Sequence, residues 1–247
     1  LFVWMGEILF RTKLSENLFR GLSPWMQKLP GGLIHVNVVG CALFAAISGS
    51  SAATVATVGK MSIPELRKRN YPEKILLGSL AGSGTLGLLI PPSIILIIYG
   101  VAVQESIAKL FIAGIIPGIM IALIFMSYVI IWSLINKKEM PKILEEYSFL
   151  EKIKRSKQLL PVILLISAVI GSIYTGVATA TEAASLGVVG ALILSYFQKS
   201  LTLETFKSSL LGATKTSCMI AFILAGSTFL SLAMGFTGLP RNLAIWI

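Results

Sequence analysis

Apolar residues run along this chain in long unbroken stretches, and polar residues gather between them instead of alternating with them. Long runs predict helices that cross hydrocarbon, where only helices and closed barrels satisfy every backbone polar group. The lack of alternation excludes a barrel. Residues 1–10 predict the end of a membrane helix. In "RTKLSENLFRGLSPWMQKLPGG", which follows, Leu14, Leu18, Leu22, Trp25, Met26 and Leu29 fall at three- and four-residue spacing. That spacing predicts an amphipathic helix lying in the membrane interface, so residues 1–30 form a helix end plus an interfacial arm.

The next run, Leu33 to Ile47, is 15 residues long. At 1.5 Å per residue it covers roughly 22 Å, short of a hydrocarbon core of about 30 Å. Ser48-Gly49-Ser50-Ser51 breaks it, and a shorter apolar run from Ala52 to about Met61 leads to a basic segment with Lys60, Arg67, Lys68, Arg69 and Lys74. Two short helices with basic outer ends and a polar joint predict a re-entrant helical hairpin over 31–70, its tip at mid-membrane. One full-length helix from Leu33 to Val58 is the alternative. Residues 75–101, "ILLGSLAGSGTLGLLIPPSIILIIYGV", are long enough to span but hold Gly82, Gly84, Gly87 and Pro91-Pro92 in the middle. Proline removes helix hydrogen bonds and disfavours helical angles in the residue before it. A transmembrane helix broken between Ala81 and Ser93 is expected, and residues 31–101 form one structural half.

Further crossings are expected at Ile107–Ile135, Leu159–Tyr174 and Ala183–Phe197, within 107–198, with a solvated connector at 136–157 and a turn at 175–185. A polar link, Lys199–Lys207, then leads to a crossing at Thr216–Met234. With the hairpin's outer ends placed inside, loops 60–74, 136–157 and 199–207 all fall inside. The outer turns 102–106 and 175–182 hold no Lys or Arg. Of the 21 basic residues, all but Lys109, Lys215 and Arg241 then lie on the inner side, as the positive-inside rule requires.

Composition agrees. Charged residues make up 13% of the chain, against about 25% in soluble domains. The net charge of +10 is a topology signal and not a nucleic-acid surface, because the basic residues sit between the apolar runs. Cys41 and Cys218 each lie in an apolar run and read as small buried hydrophobes. The single histidine, His35, cannot build a metal site and reads as a polar residue near a helix start. The chain opens in one apolar segment and stops in another, so a piece of a larger protein is expected. "KLSENL" at 13–18 echoes "GLPRNL" at 238–243 on the opposite side of the membrane, as an inverted repeat requires. Residues 199–247 are therefore expected to start a second repeat. "SGSSAAT" against "TATEAAS" at 179–185 is a rival echo, read as a small-residue packing signal.

Helix ends at membrane depth leave backbone N–H and C=O groups without partners, which a polar cavity and a bound ion can satisfy. Ser48, Ser50 and Ser51 supply hydroxyls, and Gly49 lets carbonyls turn toward a cation. The broken helix offers Ser83, Gly84, Thr85 and Gly87, then Pro91, Pro92 and Ser93. The chain holds no aspartate, so a buried-carboxylate site for calcium or protons is not expected. Neutral oxygens suit a weakly held monovalent cation, sodium above all. Small residues serving only helix packing are the bland alternative. A Ser/His protease would need His35 near Ser48, yet they sit 13 positions apart on one helix, roughly 20 Å. A passive channel lacks rings of charge.

The stretch from Pro30 to Val101, "PGGLIHVNVVGCALFAAISGSSAATVATVGKMSIPELRKRNYPEKILLGSLAGSGTLGLLIPPSIILIIYGV", resembles the large membrane subunit of tripartite ATP-independent periplasmic (TRAP) transporters. "LFIAGIIPGIMIAL" and "IYTGVATATEAASLGVVGAL" resemble further family stretches in the same order. Ala180 stands where the family usually has proline. The resemblance implies an all-α polytopic membrane protein of the elevator type, with inverted repeats, and not an enzyme. It implies a sodium-coupled secondary transporter of the bacterial inner membrane that imports a small organic acid or carboxylate. Its partners would be a small four-helix membrane subunit and a periplasmic substrate-binding protein. Carried over, Ser48, Gly49, Ser50, Gly84, Thr85 and Gly87 would hold sodium as coupling ion, with no other cofactor or metal. Ser50, Ser51, Pro91, Pro92 and Ser93 would face the substrate. A related elevator symporter that binds its anion directly, and a non-transporting structural subunit, remain the competing readings.

Overall fold

The computed structural model describes residues 1–12, 14–141, 147–157, 159–238, 242 and 245. Among these the regular structure is entirely helical. The helices are α1 (Phe2–Phe10), α2 (Leu14–Met26), α3 (Ile34–Ser48), α4 (Ser51–Lys68), α5 (Glu73–Gly84), α6 (Ile94–Val103), α7 (Ile107–Ile135), α8 (Phe149–Ser156), α9 (Leu160–Tyr174), α10 (Ala180–Phe197) and α11 (Leu203–Thr237). Short 3₁₀ turns follow α5 at Thr85–Leu88 and α7 at Lys137–Glu139.

α7, α10 and α11 are each long and apolar enough to cross a membrane. Their outward faces are large apolar side chains, with Ile116 77% and Phe222 83% exposed. Such faces have no place in water, and the protein is a multi-pass membrane protein. α9, expected as a crossing, has only 15 residues. α10 and α11 begin earlier than the polarity pattern suggests. Thr179 caps α10, its hydroxyl accepting from Glu182 N at 3.3 Å while Glu182 Oε2 accepts from Thr179 N at 2.8 Å. Most of the expected turn is therefore the first two turns of a helix. The polar link at Lys199–Lys207 is likewise consumed from Leu203 onward by a 35-residue helix.

α3 lies at the centre. It packs against α1, α2, α4, α5 and α7 and against the 3₁₀ turn after α5. Phe44, Ile47, His35 and Asn37 on it are all buried. The His35 ring nitrogen Nε2 lies 2.7 Å from Pro30 O, at the far end of α3 from Ser48. Asn37 bridges to α5, donating to Leu76 O at 3.2 Å and to Ser79 Oγ at 3.0 Å. Cys41 is buried as expected, whereas Cys218 is exposed on α11.

α1 fills the gap between α3, α10 and α11. Its contact with α11 is partly apolar, Trp4 meeting Phe206 edge to face at 5.8 Å, and partly polar. Arg11 pairs with Glu7 and donates to Ser208 Oγ at 3.0 Å, while Trp4 Nε1 donates to Ser209 Oγ at 3.2 Å.

The connector expected to be solvated contains α8, which docks on α2. Trp25 Nε1 donates to Ser156 Oγ at 2.8 Å, and Lys152 lies over the Trp25 ring at 5.5 Å. Ser148 and Glu151 explain why a helix starts here, since Ser148 N donates to Glu151 Oε2 at 3.0 Å. Residues 142–146 of the connector lie outside the described residues, as does most of the 238–243 echo.

Candidate functional site

Ser48 ends α3 and Ser51 begins α4, so Leu33–Val58 is two helices and not one rod. The reversal needs a residue in the left-handed region, and Gly49 supplies it at φ 58. Ser50 then caps α4, its side chain accepting from Ala53 N at 3.4 Å. The two helices pack against one another as a hairpin. Inside the tip, Ser48 Oγ meets Thr54 Oγ1 at 3.0 Å and donates to Ser50 O at 3.2 Å, and Thr54 Oγ1 reaches Ser50 O at 2.7 Å. Thr54 is fully buried. The sequence reading missed it; its signal was the hydroxyl four residues after Ser50, one turn into the second arm.

α5 stops at Gly84, tightens into the 3₁₀ turn and gives way to a non-helical stretch with a cis peptide between Pro91 and Pro92, and α6 starts at Ile94. Ser93 closes this break by donating to Leu88 O at 2.6 Å. The hairpin tip sits on the break. Ile94 N donates to Gly49 O at 3.2 Å. A Cβ on Gly49 would come 2.6 Å from Pro92 O, and one on Gly87 would come 2.8 Å from Ser50 C. The glycines thus let two backbones touch. Gly6 of α1 packs in the same way on the last turn of α3, where a Cβ would lie 2.9 Å from Ser48 Cα.

The structure therefore brings Ser48, Gly49, Ser50, Gly87, Pro92 and Ser93 together. Gly84 faces the Val55 side chain, one turn further into α4. Thr85 is exposed, and its hydroxyl donates back to Gly82 O at 2.7 Å. Pro91 is turned toward α7, near Gly114. The Gly49 carbonyl accepts the Ile94 amide with one of its two lone pairs.

Beside the tip lies a cavity of about 400 Å³, walled by Gly49, Ser50, Ser51, Leu88 and Ile98 and closed by Thr216 and Met219 of α11. Ser50 and Ser51 line it; Pro91, Pro92 and Ser93 do not. No described wall residue is charged. The Ser51 hydroxyl is buried without a hydrogen-bond partner. A buried hydroxyl left in this state costs about 1–3 kcal/mol, and a ligand or ion can satisfy it. The remaining wall is mostly apolar, with Leu88, Ile98 and Met219 among it.

All 247 residues match the family described as "Tripartite ATP-independent periplasmic transporter, DctM component". The chain belongs to this family. It is similar to proteins named C4-dicarboxylate TRAP transporter large permease protein DctM from Pseudomonas aeruginosa, at 36% identity over 100% of this chain and 57% of that protein, and from Rhodobacter capsulatus, at 33% over 100% and 59%. It is also similar to the sialic acid TRAP transporter large permease protein SiaM of Vibrio cholerae, at 33% over 98% of this chain and 56% of the relative. The chain thus spans less than two thirds of the length of these relatives. They are transporter permeases, and in this DctM-family chain the tip, the break and the cavity lie side by side.

Proposed function

We propose that the protein is the large membrane subunit of a sodium-coupled TRAP-type importer in the bacterial inner membrane. Its substrate is a small organic acid, a carboxylate foremost. It is handed over by a periplasmic binding protein and passes beside a small four-helix membrane subunit. The observation that carries this reading is the seating of the serine tip on the broken helix, next to an uncharged cavity, in a chain of the DctM family. The word "tripartite" in the family description and the acids in the relatives' names support the partners and the substrate class.

In this reading sodium is held by Ser48, Gly49 and Ser50 with Gly84, Thr85 and Gly87 of the opposing segment. The serine hydroxyls supply oxygens, and the glycines supply close approach. Thr85 joins through its backbone, since its hydroxyl is committed to Gly82. A cation here fixes the tip, and the fixed tip presents Ser50 and Ser51 to a substrate carboxylate. Pro91, Pro92 and Ser93 set the shape of the floor from behind. The hairpin, re-entrant from the cytoplasmic side, and the broken helix then travel as an elevator against the rest of the molecule.

The test is uptake of a C4-dicarboxylate by the complete transporter in proteoliposomes, with and without a sodium gradient and with and without the binding protein. Ser50→Leu is expected to abolish sodium-driven uptake while membrane insertion stays intact. Retained uptake by this variant refutes the site. Full uptake by the unmodified transporter without the binding protein moves the protein to the class of direct anion symporters. No uptake under any condition supports a structural subunit.

A further inference from the structure

At the opposite end of α3 from the serine tip lies a second cavity, of about 320 Å³, that the transport reading does not use. It opens where α2 ends and where α7 runs out into the 3₁₀ turn. Gln27, Lys28, Tyr71, Ser133 and Lys137 line it, Leu134 is among its apolar wall residues, and no carboxylate is among the described wall residues.

Its donors outnumber its acceptors. Lys28 and Lys137 each bring an ammonium group from an exposed position. Gln27 is only 7% exposed, and its side-chain amide nitrogen is buried without a hydrogen-bond partner. The Tyr71 oxygen accepts from Leu33 N at 3.1 Å, which leaves its own O–H free to donate. Burial pushes the Tyr71 hydroxyl above its usual range, outweighing the Leu33 N–H and the Arg69 charge, so that proton stays in place. Two ammonium groups, an amide N–H without an acceptor and a phenol O–H are a donor set that an oxyanion completes.

Position narrows the oxyanion. The cavity sits at the end of α7, a helix long and apolar enough to cross the bilayer. It also adjoins α2, whose Trp25 is exposed. That is headgroup depth, where basic pockets between helices hold anionic lipid headgroups. We infer that this cavity binds a phosphoryl oxyanion, with the headgroup of an anionic phospholipid as its source. The phosphate lies between Lys28 and Lys137, Gln27 and Tyr71 donate from beneath, and the glycerol end rests on Leu134. The site is independent of the sodium-site assignment.

The inference is tested on the complete detergent-purified transporter by native mass spectrometry. Phosphatidylglycerol is the probe, phosphatidylcholine the neutral reference, and inorganic phosphate and glycerol 3-phosphate the soluble competitors. The unmodified protein is expected to retain phosphatidylglycerol over phosphatidylcholine. Lys28→Gln with Lys137→Gln should weaken that retention by roughly ten- to thirtyfold, as two lysine contacts to an anionic surface would. Lys152→Gln with Lys154→Gln removes the same charge elsewhere and should leave retention unchanged. Both wall lysines are exposed, so their loss leaves the core intact; Lys137→Gln alone gives a second reading with half the change. Competition by inorganic phosphate at equal strength keeps the oxyanion site but makes its source soluble. Equal retention by the double variant and the unmodified protein overturns the inference.

Discussion

Gly49 is glycine for two separate reasons. Its φ of 58 lies in the left-handed region, and a Cβ there would press on Pro92 O at 2.6 Å. The first costs a non-glycine residue about 1–2 kcal/mol. The second cannot relax through a side chain, because both partners are backbone. Gly49→Ala should therefore lift the tip off the break and lower uptake by roughly tenfold or more, the equivalent of about 1.4 kcal/mol. Transport assays set against immunoblots of membrane fractions check this; unchanged uptake at equal abundance would show that the contact is dispensable. Around the tip, residue type was legible in the sequence, since small and hydroxyl residues in a greasy run mark a place where backbone is exposed. Orientation was not. Thr85 and Ser93 are both hydroxyl residues in the broken segment, yet each spends its proton on a local carbonyl, at Gly82 and Leu88. Nothing in their spacing distinguishes them from Ser51, whose hydroxyl is left over.

Helix breaks were readable because they come from residues that physically stop a helix: Gly49 with its serines, and the Pro91-Pro92 pair. Helix starts were less so. The segment around Thr179 looks like a turn by polarity, but Thr and Glu three apart reciprocally satisfy free amides, and α10 begins there. The same pattern at Ser148 and Glu151 hid α8 in what read as a charged connector. α4 runs on past Met61 to Lys68 with Pro64 inside it, and the Glu65–Arg69 pair one turn apart, at 2.9 Å, sits at its end. A test follows at α10. Ala180 is its first helical residue, where proline loses no helical hydrogen bond. Thr179 before it already has φ −68 and ψ 163, the extended shape a following proline demands. Ala180→Pro should stabilise the protein by about 0.5 kcal/mol through the unfolded state, seen as a raised melting temperature in detergent. A lowered one would mean that the start of α10 must stay pliable.

For the molecule as a whole, the charge pattern makes a claim about sides. α7 separates the turn at 102–106 from the basic connector, and the two must face opposite compartments. With the exposed Cys218 replaced by serine, Glu105→Cys should react with a membrane-impermeant thiol reagent in intact spheroplasts, and Lys154→Cys only after permeabilisation. Labelling of both from one side would contradict the orientation. The described residues also show how the parts are fastened. α1 is wedged between the end of α3 and the first part of α11 by Gly6 and by the Arg11–Ser208 contact. One main-chain bond, from the Ile94 amide to the Gly49 carbonyl, ties the fold-back to the second half of the snapped helix. A swing of either piece alone must give up that bond, at a net cost of about 1 kcal/mol. Movement of α6 therefore bears first on the Gly49 carbonyl, the point where the serine turn rests on it.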